Sequence, residues 1–76
     1  MNVSSLIVNA RDGQVADVQA LLTQQPGVEI HAASPEGKLI VTIETESDRE
    51  TVAAFERITQ TDGVLSAAMV YHQIET

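Results

Sequence analysis

The sequence predicts an α+β fold built from two similar βαβ halves, and two observations carry that expectation. Leu6-Ile7-Val8 is followed by an amphipathic stretch and then Pro26-Gly27-Val28; Leu39-Ile40-Val41 is followed by a second amphipathic stretch and then Asp62-Gly63-Val64. A tight-turn sequence, Ser34-Pro35-Glu36-Gly37, joins the halves. The order βαββαβ that results is the ferredoxin-like plan, and it fills residues 1–76 as a single domain. Connections of this kind place both helices on one face of a four-stranded antiparallel sheet of order 4-1-3-2. The other face is left bare.

Each element has a local reason. Val3 to Ala10 holds β-branched Val3, Ile7 and Val8 with no breaker and reads as the first strand. Asp12 is positioned to cap a helix in which Val15, Val18 and Leu22 recur at helical spacing, with Leu21 alongside. Pro26-Gly27 stops that helix, because Pro lacks the amide donor and Gly tolerates positive φ. Val28 to Ala33 is the second strand. Lys38 to Glu44 is the third, with Leu39, Val41 and Ile43 on one face. Ser47 and Glu50 form a capping box at the start of the second helix, each side chain expected to bond the other's amide. Val52, Phe55 and Ile58 are its expected buried stripe, Asp62-Gly63 ends it, and Val64 to Gln73 is the last strand.

Alternation along the strands divides the sheet into two faces. Leu6 and Val8, Val28 and Ile30, and Leu39, Val41 and Ile43 point to the helices. Ser5, Ile7 and Asn9, Glu29 and His31, and Lys38, Ile40, Thr42 and Glu44 point away from them. The last strand allows two phases. The preferred one buries Ala67, Met69 and Tyr71 and exposes Ser66, Ala68, Val70 and His72, because it encloses the larger apolar set and leaves His72 in water. A slip of one residue would reverse every assignment in that strand. In the preferred phase Ile7, Ile40 and Val70 form an apolar centre ringed by Ser5, Asn9, Thr42, Ser66 and Ala68. Such a surface suits an amphipathic helix or an extended peptide, a twin subunit, or plain exposure to water.

Composition narrows the chemistry. Four basic residues against eleven acidic ones give a net charge of −7, the wrong sign for neutralising phosphates, so nucleic acid and anionic membranes are not expected partners. An acidic field steers cationic ligands instead. No apolar run approaches a membrane span. The N-terminus lacks the basic and apolar regions of an export signal, so a cytoplasmic location is expected. Cysteine is absent, which removes disulfides and thiolate chemistry. His31 and His72 have no second ligand at metal spacing, so no metal or other cofactor is expected. No serine lies in a nucleophile elbow, and the glycines form no phosphate cradle. Catalysis is not expected.

These residues resemble a known family. Ser5-Leu6-Ile7-Val8-Asn9-Ala10, Pro26-Gly27-Val28-Glu29, Gly37-Lys38-Leu39-Ile40-Val41 and above all Gly63-Val64-Leu65-Ser66-Ala67-Ala68-Met69-Val70-Tyr71-His72-Gln73 are similar, in order and spacing, to the NapD family. NapD proteins are assembly chaperones of NapA, the catalytic subunit of the periplasmic nitrate reductase. The resemblance implies a cytoplasmic, non-catalytic protein that binds the twin-arginine (Tat) signal peptide of NapA in helical form on its sheet. Export would thereby be delayed until the reductase is mature. In this reading the peptide-binding residues are Ser5, Ile7, Asn9, Glu29, Ile40, Thr42, Glu44, Ser66, Ala68, Val70 and His72, with Glu29 and Glu44 meeting the arginines, and the free protein is a monomer. The competing expectation is a regulatory or oligomerisation module of the same fold, of the amino-acid-sensing type, which would need a dimer or larger.

Overall fold

The computed structural model describes residues 1–74, with side chains as far as Tyr71. Its elements run β1 (Asn2–Ala10), α1 (Val15–Thr23), β2 (Val28–Ala33), β3 (Lys38–Thr45), α2 (Asp48–Thr59) and β4 (Val64–Ile74). The sheet order is β2-β3-β1-β4, the expected 4-1-3-2 read from the other edge, and all three pairings are antiparallel. Leu6, Val8, Leu39, Val41 and Ile43 from the sheet meet Val18 and Leu22 of α1 and Ala54 and Ile58 of α2, all fully buried. Alternation in β1 and β3 therefore sorts side chains as the sequence indicates.

α1 begins later than expected, and α2 begins at the expected Ser47 cap with its reciprocal bond moved by one residue. The α1 N-cap position is Gln14, whose side chain makes no capping bond. Asp12 lies two residues too early, because Gly13 at φ 78° and a turn from Arg11 to Gln14 carry the chain further before helix starts. In α2 Ser47 Oγ accepts from the Glu50 amide at 3.2 Å as expected, but Glu50 Oε2 accepts from the amide of Glu46, at 2.8 Å, and not from that of Ser47. Either bond satisfies a donor ahead of the first turn.

The buried stripe of α2 keeps Ile58 as expected and is displaced by one residue in its first two turns. Thr51, Ala54 and Ile58 are buried and Phe55 is half-buried, whereas Val52 is 58% exposed. The Thr51 hydroxyl is satisfied by the Ser47 carbonyl at 3.1 Å and by the Thr45 hydroxyl, so a polar side chain can occupy the core-facing place. Asn2 contributes from β1: it is buried, and its Nδ2 donates to Asp48 Oδ1 at 2.8 Å, tying the strand to the start of α2.

Glycine is required where the loop enters β2. Gly27 has φ 75°, and a Cβ there would run into the carbonyl oxygen of Glu44 on β3. The closeness is used: the Glu44 amide donates to the Gly27 carbonyl at 2.9 Å, extending the β2–β3 ladder.

The largest departure from regular alternation is at the sheet edges. In β4, Met69 opposes Leu6 and Tyr71 opposes Ser5, so Val70 is an extra residue with no partner on β1. Leu65 is a second extra residue, between the Asn9–Ser66 and Ala10–Val64 pairs. In β2, Ile30 opposes Val41 and Ala32 opposes Ile40, leaving His31 as the extra residue. Such bulges bend an edge strand and reset the face on which the following side chains lie. The expected phase of β4 accordingly sets the facing of Ser66 to Met69 and reverses at Tyr71. Met69, expected to be buried, is 40% exposed, because it lies on the edge strand at the margin of α2 beside Asp48, Thr51 and Val52. Tyr71 shares a row with Ser5 and is 56% exposed, not buried. His72 stands opposite Ser4, whose side chain is on the helix face, and the His72 side chain lies outside the described residues.

Candidate functional site

The bare face resolves into four transverse rows fixed by strand register. Glu44 and Val3 form the first, with Gln73 opposite Val3. Glu29, Thr42, Ser5 and Tyr71 form the second, and Ala32, Ile40, Ile7 and Ala68 the third. Lys38, Asn9 and Ser66 form the fourth. Successive rows are about 7 Å apart along the strands, and neighbouring strands are about 4.8 Å apart across them.

The structure brings together most of the residues expected at this site. Ser5, Thr42, Ile7, Ile40 and Ala68 make a floor of short or apolar side chains. Ile40 is 41% exposed although it is aliphatic and central. Asn9 Nδ2 donates to Ser66 Oγ at 3.0 Å, which fixes the polar fourth row. Val70 is exposed, but as the unpaired residue of a bulge it does not stand in the Ile7–Ile40 row. Ala32 and Ala68 take the flanking places there.

Glu29 and Glu44 are diagonal neighbours across β2 and β3, a spacing of roughly 7–8 Å between backbones. His31 sits beside them, its Nε2 sharing a 2.7 Å hydrogen bond with Thr42 Oγ1 and lying 3.9 Å from Glu29 Oε2. Glu44 also forms part of the wall of a cavity of about 400 Å³, whose lining includes Glu46, Glu50 and Arg57 where β3 passes into α2. Glu29 and Glu44 thus stand at one end of the bare face, next to a cavity lined by carboxylates and by Arg57. Among the described residues no group of three or more His, Asp or Glu side chains is placed to hold a metal ion. No helix among them is long and apolar enough to cross a membrane.

Tyr71 is the site feature that alternation conceals. Its ring is assigned to the core by the preferred unbroken phase, and the extra residue at Val70 delivers it to the Ser5 row. No residue in Ala67-Ala68-Met69-Val70-Tyr71 marks the break, because all five are apolar or aromatic. Leu65, Val70 and Tyr71, at 61%, 58% and 56% exposure, leave the β4 margin apolar while the β2 margin carries Glu29 and His31.

Comparison with known proteins places this geometry in a family. The family model described as NapD protein matches residues 1–76. Chaperone NapD of Escherichia coli strain K12 is 35% identical over 74 residues, which are 96% of this chain and 85% of that protein. Chaperone NapD of Paracoccus pantotrophus is 34% identical over 74 residues, 97% of this chain and 65% of that one. Among solved structures, the E. coli Tat proofreading chaperone protein NapD matches with a TM-score of 0.87 at 35% identity, covering 96% of this chain and 78% of that chain. A hypothetical protein from Pyrococcus horikoshii matches with a TM-score of 0.85 at 19% identity, a likeness of fold alone. With a family match over residues 1–76, relatives above 30% identity and a solved NapD structure matching at a TM-score of 0.87, the chain belongs to the NapD family.

Proposed function

We propose that this protein is a cytoplasmic, non-catalytic chaperone that binds the twin-arginine signal peptide of NapA and so delays export until the reductase is mature. The observation that carries the reading is the bare sheet face: a floor of short and apolar side chains, Ser5, Thr42, Ile7, Ile40 and Ala68, bordered at one end by Glu29 and Glu44. A helix packs on such a floor because small residues let its backbone approach, and the aliphatic centre covers its apolar side. Adjacent arginines are the natural complement of two neighbouring carboxylates, since a guanidinium engages a carboxylate through two parallel hydrogen bonds and an ammonium cannot. The net charge of −7 draws a cationic peptide toward the surface before contact is made.

The free protein is monomeric in this reading. Both edge strands carry bulges, at His31 and at Leu65 and Val70, and bulged edges pair poorly with other strands. An amino-acid-sensing or oligomerisation module would instead need a partner subunit to complete its site. Sedimentation of the free protein separates the two, and a stable dimer would count against the chaperone reading.

Calorimetric titration with a synthetic NapA signal peptide tests the function directly. One-to-one binding that weakens when both arginines are replaced by lysine is the expected result. The Glu44→Gln variant should weaken binding by about tenfold at low salt. Unchanged affinity in that variant would remove Glu44 from the site.

A further inference from the structure

The three formally charged side chains that lie within the described strands are distributed along the bare face with a direction. Glu44 and Glu29 occupy the first and second rows, and Lys38 occupies the fourth. The separation of Glu44 from Lys38 along β3 is about 20 Å, the length of a helix of about thirteen residues. Between them lies the apolar row Ala32–Ile40–Ile7–Ala68, about 7 Å beyond the Glu29 row, or some four to five residues of helix. The face is also uneven from side to side, with Glu29 and His31 along β2 and the exposed ring of Tyr71 along β4.

From this layout we infer that the bound peptide helix lies in one direction, parallel to β1, with its arginines over Glu29 and Glu44 and its C-terminal end over Lys38. The inference rests on the signal-peptide reading and adds to it an orientation and one further contact residue. A sequence in which arginines precede an apolar stretch matches the rows in order: carboxylates first, then the Ile7–Ile40 row. Placed this way, the helix also ends near an ammonium group, which complements the negative C-terminal end of its dipole. The reversed helix sets guanidinium groups beside Lys38 and leaves both carboxylates beside the peptide's C-terminal end, so each charged contact changes sign. Side-to-side unevenness then fixes rotation about the helix axis. Its arginine flank faces β2, and an apolar side chain on the opposite flank packs on Tyr71. The loops at the far end carry Arg11 beside Asp12, Glu36 in the β2–β3 turn and Asp62 ahead of β4, so the orientation rests on the charges within the strands and on the place of the apolar row, not on a net positive charge at that end.

Paramagnetic labelling of the peptide tests the orientation in the intact protein. A synthetic peptide with an arginine pair followed by an apolar stretch carries a nitroxide at its N-terminus or, separately, at its C-terminus, and broadening is read from the amides of isotope-labelled protein. The N-terminal label should broaden Gly27 and Thr45, and the C-terminal label should broaden Lys38 and Asn9. The reverse pattern, or equal broadening at both ends by both labels, overturns the inference while leaving signal-peptide binding intact. Absence of any binding by the wild-type protein in calorimetry overturns the underlying reading and the orientation with it. Tyr71 supplies a second readout, as the sole tyrosine in a chain without tryptophan. Its emission should change on binding, and Tyr71→Ala should lower affinity about tenfold for twin-arginine and twin-lysine peptides alike. An effect confined to the arginine peptide would place the ring on the wrong flank. Unchanged emission together with unchanged affinity in Tyr71→Ala would remove it from the site.

Discussion

Ile40 and Leu39 are consecutive residues of β3 and belong to different worlds. Leu39 is fully buried beneath the helices, and Ile40 is 41% exposed on the bare face. The same contrast separates Val8 from Ile7 in β1, where the buried member is enclosed and its neighbour is half-buried. Both faces use aliphatic side chains, so the difference lies in what covers them. On the helix side Val18, Leu22, Ala54 and Ile58 complete a closed core, whose contribution to stability grows with the apolar area removed from water. The bare side leaves Ile7 and Ile40 uncovered among polar and small side chains, which lends the fold little. If the bare face binds the peptide as proposed, stability and recognition are carried by alternate residues of the same strands, and each can be changed with limited effect on the other.

Substitutions on the two faces test that separation, beginning with the core. Leu39→Ala should cost about 3 kcal/mol, through lost burial and the cavity left behind, and appear as a lowered urea midpoint at constant slope. A loss below about 1 kcal/mol would mean that the helices close the gap and that the core is not rigidly packed. Gly27→Ala should cost about 2 kcal/mol, because positive φ and the Glu44 carbonyl both oppose a Cβ. Amide exchange of Glu44 should accelerate in that variant, since its donor reaches the Gly27 carbonyl. Ser47→Ala should cost about 1 kcal/mol by removing the α2 cap, measured as a lower thermal midpoint. At the small end, Ile40→Thr should change stability by less than about 0.5 kcal/mol while weakening peptide binding in calorimetry. A stability loss comparable to that of Leu39→Ala would break the comparison, since it would show that the bare face is covered in the free protein.

Legibility in the sequence followed the strength of local signals. β3 was readable because Leu39, Val41 and Ile43 alternate with Lys38, Thr42 and Glu44, and polar residues mark the phase. The Ser47–Glu50 relation identified the start of α2 because capping depends on a fixed three-residue spacing. The stripe of α2 was misread at Val52, since hydropathy favours Val over Thr for burial, and only the Ser47 carbonyl and Thr45 hydroxyl show why Thr51 is the one enclosed. Asp12 failed as a cap for a similar reason, because a turn through Gly13 consumed the residues that helix would have used. β4 was legible as a strand and ambiguous as a pattern. Its run from Ala67 to Tyr71 has no polar residue to set the phase, and the bulge at Val70 makes each of the two phases correct for part of the strand. The acidic end of the site was visible in Glu29 and Glu44, whereas the aromatic margin was not.

The bulge at Val70 acts on side chains as an inserted nucleotide acts on a reading frame. Upstream of it, Ala67 and Met69 stay in step with Val8 and Leu6; downstream, Tyr71 is read out on the opposite face. Closing the bulge without shortening the chain would set Val70 opposite Ser5 and turn the ring toward the helices, whereas deleting Val70 would leave the ring opposite Ser5. A shift of the extra residue back into the ladder, more than a shorter β4, is therefore the route by which this surface would lose its aromatic margin.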